Sequence, residues 1–101
     1  MLSTILKTPR EIAQEIAKRA KEKRLSLNFS QQTLANRSGV SYGTLKKFEQ
    51  TGQISLESLL RLALILGSLK GFEHVFAPAK PEEALTLDEL MKDTSRKRGR
   101  K

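Results

Sequence analysis

Ser30-Gln31-Gln32-Thr33-Leu34-Ala35-Asn36-Arg37-Ser38-Gly39-Val40-Ser41, continued by Tyr42-Gly43-Thr44-Leu45-Lys46-Lys47-Phe48-Glu49, is the stretch whose reading decides the fold. Ser30 is suited to an N-cap, with Gln31 and Gln32 in the first turn and Leu34 and Ala35 as the inward pair, so a short helix begins there. Gly39 stops it, and a second helix follows at once from Ser41 with Leu45 and Phe48 turned inward. Two helices joined so tightly make specific demands. Where they cross, one position must be small, and Ala35 stands there. At the turn one residue must take positive φ without a Cβ penalty, and that residue is Gly39. The second helix must drive an apolar side chain back against the first, which Leu45 does, while Leu34, Val40 and Phe48 complete the apolar seam.

Upstream, Thr8-Pro9-Arg10-Glu11 opens the first helix of the chain. Thr8 caps the free N–H groups, Pro9 suits the first helical position, and Glu11 stands three residues after the cap, as a capping box requires. Ile12, Ala13, Ile16, Ala17 and Ala20 recur at three- and four-residue spacing, so this helix is amphipathic, and it ends between Leu25 and Asn28. Its stripe is mostly Ala and lacks the bulky residues that membrane insertion favours, so packing on a protein core is the better reading. Downstream, Thr51-Gly52 ends the helix that carries Leu45 and Phe48, and Ser55 caps a fourth, residues 56–66, in which only Glu57, Ser58 and Arg61 are polar. A helix this apolar needs cover on more than one side, part of it from another subunit. Gly67 is the expected C-cap. Phe72, Val75 and Phe76 follow as one helical turn, with a short strand as the alternative, and Thr86 opens another short turn that reaches Met91. Beyond Lys92 no core-forming residue remains, and disorder is expected. The sum is an all-α, five-helix domain over residues 1–77, with its central motif at residues 30–50, and a linker with a flexible basic C-terminal tail over residues 78–101.

The 101 residues carry Lys+Arg 19 against Asp+Glu 11, a formal charge of +8. The charge is segregated: residues 1–80 hold +7, residues 81–91 hold −4 and residues 92–101 hold +5. A basic body and basic tail point to a polyanion, nucleic acid before an anionic membrane. With no Cys there is no disulfide framework, thiolate zinc site or thiol nucleophile, which fits a reducing compartment. No apolar run approaches the ~20 residues that span a bilayer, so a soluble, cytoplasmic protein is expected. His74 is the sole imidazole, Glu82, Glu83, Asp88 and Glu89 lie on a linker that does not fix them, and there is no glycine-rich phosphate loop. No catalytic residue, metal site or cofactor is therefore expected, and the chain does not read as an enzyme.

Two short helices joined through a glycine turn form the helix-turn-helix unit, whose second helix enters the major groove of duplex DNA. Over residues 10–68 the chain resembles the phage repressor and Cro proteins, the XRE family. Arg24 and Glu49 stand where members of that family often pair an arginine near the end of the first helix with a glutamate late in the recognition helix. That pair reads as a structural salt bridge, outside the DNA contact.

The resemblance implies a repressor-like domain and a footprint. Gln31 would meet a phosphate with its amide and backbone N–H. Ser41, Tyr42, Gly43, Lys46 and Lys47 would form the face toward bases and nearby phosphates. Lys47 would donate to guanine O6 or N7, and Tyr42 would touch a thymine methyl or a phosphate. Thr44 and Arg37 would touch phosphates. Gly43 departs from the family's hydrogen-bonding side chain at that place. It allows close backbone approach to DNA but weakens direct readout and costs about 0.8–1 kcal/mol of helix propensity against Ala. The family binds inverted-repeat operators as two-fold homodimers, with half-sites about 34 Å apart, and Leu60, Leu64, Phe72 and Phe76 are the candidates for the dimer surface. In size and layout the chain is most similar to HipB-type antitoxins, which repress their own operon and bind a HipA-like serine/threonine kinase toxin, sometimes with a further small antitoxin subunit. The alternative is a phage-type or general transcriptional regulator with no toxin partner.

Overall fold

The computed structural model describes residues 6–79. Four α-helices follow one another: α1 (Pro9–Ser26), α2 (Gln31–Ser38), α3 (Tyr42–Thr51) and α4 (Leu56–Ile65), then a 3-10 turn at Leu69–Phe72. The described residues are all helix and turn, as expected, and the short-strand alternative for residues 71–76 does not occur among them. The fifth helix of the expectation is replaced by the 3-10 turn, which begins earlier, at Leu69. It does not extend through Phe76 because that residue adopts φ +66, which no right-handed helix accommodates. The expected turn from Thr86 to Met91, most of the linker and the basic tail lie outside the described residues.

Each α-helix starts where its cap residue dictates. Thr8 Oγ1 accepts from the Glu11 N–H at 3.1 Å while the Thr8 N–H donates to Glu11 Oε1 at 2.9 Å, closing the capping box. Ser30, Ser41 and Ser55 accept from the N–H groups of Thr33, Thr44 and Ser58 at 3.0, 3.1 and 3.2 Å. Helix α1 ends on Asn28 in the left-handed region, φ +59. The Asn28 N–H then donates to the Leu25 carbonyl at 2.9 Å and the Phe29 N–H to the Arg24 carbonyl at 3.1 Å, a Schellman closure. Asn tolerates this conformation because its short polar side chain lessens the steric cost.

The core is the seam between α2 and α3, extended by α1 and α4. Leu34, Leu45, Phe48 and Leu62 are almost wholly buried, and Ala17, Ala35, Val40 and Leu66 join them in one cluster. Burying a Leu or Phe side chain contributes roughly 1.5–3 kcal/mol, so these four large residues dominate the favourable side of the balance. At the α2–α3 turn Gly39 adopts φ +77. There Ser38, although buried, leaves nothing unpaired: its hydroxyl donates to the Ala35 carbonyl at 3.3 Å and accepts from the Val40 N–H at 3.1 Å.

The end of α3 is pinned on α1. Gly52 takes φ +83, and a Cβ there would stand 3.0 Å from the backbone C and O of Ala13 and from the N of Gln14. Only glycine allows both that conformation and that approach. Helix α4 buries Leu62 and Ala63 and half-buries Leu59, Leu60 and Ile65, but leaves Leu56 and Leu64 68% and 60% exposed. No helix among the described residues is long and apolar enough to cross a membrane.

Candidate nucleic-acid interface

Helix α3 divides its residues sharply between two faces. Leu45 and Phe48 point into the core, which by the 3.6-residue period turns Tyr42, Gly43, Lys46, Lys47 and Gln50 outward, and all five are exposed. Tyr42 with Lys46, and Gly43 with Lys47, are four residues apart and share one side of the helix. Two ammonium groups on flexible stems beside a phenol and a bare stretch of backbone form a surface suited to an anionic groove. Gln50, one turn beyond Lys46, belongs to the same exposed face and was not among the expected contacts. Its i+4 spacing from Lys46 was the signal that would have found it.

Ser41 and Thr44 are tied to each other instead of standing free. The Ser41 hydroxyl accepts from the Thr44 N–H and donates to Thr44 Oγ1 at 2.9 Å, so both hydroxyls are engaged in holding the start of α3. Thr44 is half-buried. These bonds fix the first turn of α3 and its outward N–H groups, where the helix dipole favours an anion.

Gln31 sits at the first position of α2, half-buried, and its Nε2 donates to Glu49 Oε1 at 2.8 Å. The expected amide contact to phosphate thus shares its donor group with a buried carboxylate. One amide hydrogen and the backbone N–H remain for a ligand. Glu49 is the hub: it also takes Arg24 Nε on Oε2 at 2.8 Å and Arg24 Nη2 on Oε1 at 3.0 Å. Arg24 completes the network by donating from Nη1 to the Phe29 carbonyl at 2.8 Å, at the exit of α1. The amino end of α2, the carboxyl end of α1 and the last turn of α3 are thereby locked by one set of charge-assisted hydrogen bonds. The sequence pointed to the Arg24–Glu49 pair; the third partner, Gln31, it did not.

Arg37, in the last turn of α2, is exposed, with its guanidinium carbon 4.9 Å from the centroid of the Phe29 ring. That stacking helps hold the cation in place, contributing about 0.5–1 kcal/mol at an exposed site. Gly43 has nothing within 4 Å of the position a Cβ would take, so the open backbone there is not demanded by packing inside the chain. Of the dimer candidates, Leu64 and Phe76 are exposed, Leu60 is half-buried, and Phe72 is half-buried against a groove between α1 and α4. His74 is exposed.

The helix-turn-helix family model matches residues 21–71, a span that runs from the second half of α1 into the 3-10 turn. No curated protein and no solved structure matches the chain.

Proposed function

The chain belongs to the XRE-type helix-turn-helix family of DNA-binding transcription regulators, and from that premise we propose that it is a repressor that reads an inverted-repeat operator in duplex DNA. The observation that carries this reading is the outward face of α3, where Tyr42, Gly43, Lys46 and Lys47 are exposed together on a helix whose opposite face is core. Lys46 and Lys47 bring positive charge, the first turn of α3 offers N–H groups, and Gln31 and Arg37 flank the surface from α2. Repression is the outcome expected when such a surface occupies a promoter. The task is binding, with no bond made or broken.

Two-fold binding fits the apolar residues that the fold leaves uncovered. Leu56, Leu60 and Leu64 recur every four residues along α4, and Phe76, fully exposed, lies beyond the 3-10 turn. A second copy is the simplest cover for them, and a dimer would present two α3 helices to successive major grooves. Phe72 is better explained by the groove it lines within one chain.

The more specific reading is a HipB-type antitoxin, acting in the cytoplasm on its own operon and binding a HipA-like kinase. Its support is the layout of the chain: a compact helix-turn-helix domain with a leading helix, followed by a short acidic and then basic stretch.

The test is fluorescence anisotropy with a labelled duplex carrying an inverted repeat from the protein's own promoter. Tight binding that unlabelled random DNA fails to compete away is expected, together with loss of that binding in a folded Lys46→Glu, Lys47→Glu variant. Equal binding by the variant overturns the assignment of α3. Analytical ultracentrifugation at micromolar concentration is expected to return a dimer mass. Co-purification with the product of a neighbouring kinase-like reading frame tests the antitoxin reading separately.

A further inference from the structure

Helices α1 and α4, with Phe72 of the 3-10 turn, border a groove of about 300 Å³. Ile16 and Ala20 line it from α1, Leu59 and Leu62 from α4, and Phe72 from the 3-10 turn. Its rim is basic, formed by Arg19 and Lys23 of α1, both exposed. The acidic partners of α1 lie elsewhere: Glu15 is in contact with Lys7, and although Arg19 reaches Glu15 at 3.4 Å, Lys23 has no ion-pair partner among the described residues. The groove therefore combines an apolar floor with an under-compensated positive edge.

The same chain carries a segment of the opposite character. Residues 82–91 hold four acidic groups, Glu82, Glu83, Asp88 and Glu89, and no basic one. Ala84, Leu85 and Leu87 stand between these charges and Leu90 and Met91 follow them, and Ala84, Leu87 and Met91 recur at helical spacing with Leu90 beside them. Phe72, on the groove wall, stands seven residues before the last described residue, Ala79, and twelve before Ala84, a link of up to ~40 Å when fully extended. So short a tether sets an effective concentration in the millimolar range, enough for a weak apolar contact to be occupied.

We propose that residues 82–91 seat in the α1–α4 groove of their own chain, the Ala84, Leu87, Leu90 and Met91 stripe on its apolar floor and the carboxylates toward Arg19 and Lys23. The seated segment neutralises the Arg19 and Lys23 rim of α1.

Because the protein contains no cysteine, disulfide trapping in the full chain tests this without background. Ala20→Cys is paired in turn with Leu85→Cys, Leu87→Cys or Leu90→Cys, and Lys47→Cys with the same three serves as the control. At least one Ala20 pair is expected to close within a single chain tenfold faster than every control pair, and to slow at least threefold in an Arg19→Glu, Lys23→Glu background. Rates equal to the controls, or a product of dimer mass only, overturn the proposal; the dimer product would mean that the segment crosses to a second copy. As a second measurement, Leu87→Ser with Leu90→Ser in the otherwise unaltered chain is expected to shift the amide resonances of Ala20, Leu59 and Phe72 and to lower their exchange protection. Unchanged resonances at all three positions overturn it as well.

Discussion

Arg24 and Glu49, 25 residues apart in the chain, meet as a bidentate pair with Nε to Oε2 at 2.8 Å and Nη2 to Oε1 at 3.0 Å, their side chains 7% and 4% exposed. The pair joins the end of α1 to the recognition helix, and Gln31 adds a third donor from α2. The orientation of α3 against the rest of the domain is thus held by polar bonds as well as by the apolar seam. Every buried side-chain nitrogen and oxygen among the described residues has a partner, so the charges are taken out of water without an orphan.

Removing one member of this pair leaves the other buried and uncompensated, at a cost of roughly 3–5 kcal/mol. Glu49→Leu is therefore expected to lower stability by that order in urea unfolding. The Arg24→Leu, Glu49→Leu double variant is expected to lose less than the sum of the two single variants, because it removes both charges together. Additive losses would mean that the pair contributes nothing as a pair.

Two glycines of α3 and its exit respond in opposite directions. Gly52→Ala forces a Cβ into a position 3.0 Å from the α1 backbone at φ +83, so it is expected to destabilise by more than about 1 kcal/mol. Gly43→Ala meets nothing within 4 Å and gains helix propensity, up to about 1 kcal/mol. Thermal unfolding of both variants checks the signs. If close backbone approach at Gly43 serves DNA binding, the stabilised Gly43→Ala protein binds its operator more weakly than the parent.

Lys46 and Lys47 separate two kinds of DNA contact. A lysine on a phosphate contributes about 0.9 to the slope of log affinity against log salt and acts alike on all sequences. A lysine on guanine discriminates by about 1–3 kcal/mol. Lys46→Ala is expected to lower the salt slope by about that unit on operator and random duplex alike. Lys47→Ala is expected to weaken the operator complex more than the random one. Anisotropy titrations over a salt series read both.

Glu15 receives the Lys7 ammonium at 2.6 Å. That hydrogen bond, with further help from the charges of Lys7, Arg19 and Lys18, holds its carboxyl below the ordinary value against a smaller opposing desolvation. A carboxyl depressed in the folded state contributes stability above its unfolded value, and the contribution is lost as pH falls through the folded one. Lys7→Ala is expected to move the Glu15 titration upward in an NMR pH series. An unmoved titration would show that Lys7 is not the cause.

Much of this fold was legible in the chain because its signals are local. Thr8 with Glu11, and the serines Ser30, Ser41 and Ser55, start helices by hydrogen bonds that reach three residues ahead. Gly39 ends α2 through its own φ. The residues after Gly71 were harder. They have apolar side chains without a capping pattern, and the 3-10 turn at Leu69–Phe72 with left-handed Phe76 follows from how the chain leaves α4, not from periodicity. At the candidate site, the exposed face of α3 could be read from the 3.6-residue spacing of Leu45 and Phe48. The engagement of Gln31 with Glu49, and of Ser41 with Thr44, could not be read with the same certainty, because a polar side chain at a helix start serves equally as cap, as strut or as ligand contact.

The sequence by itself determined where α1 to α4 begin and end, the small, glycine and apolar positions that oblige α2 and α3 to cross as a helix-turn-helix, and the sign and segregation of charge. These follow from caps, side-chain volume and period, all of which act within a few residues. Only the tertiary structure decided which polar side chains are spent inside the molecule and which remain for a ligand. It joined Arg24, Glu49 and Gln31 into one buried network, set Gly52 against Ala13 and opened the groove between α1 and α4. Those outcomes depend on contacts between residues distant in sequence, where burial makes every polar group find a partner and close packing leaves room for no other side chain.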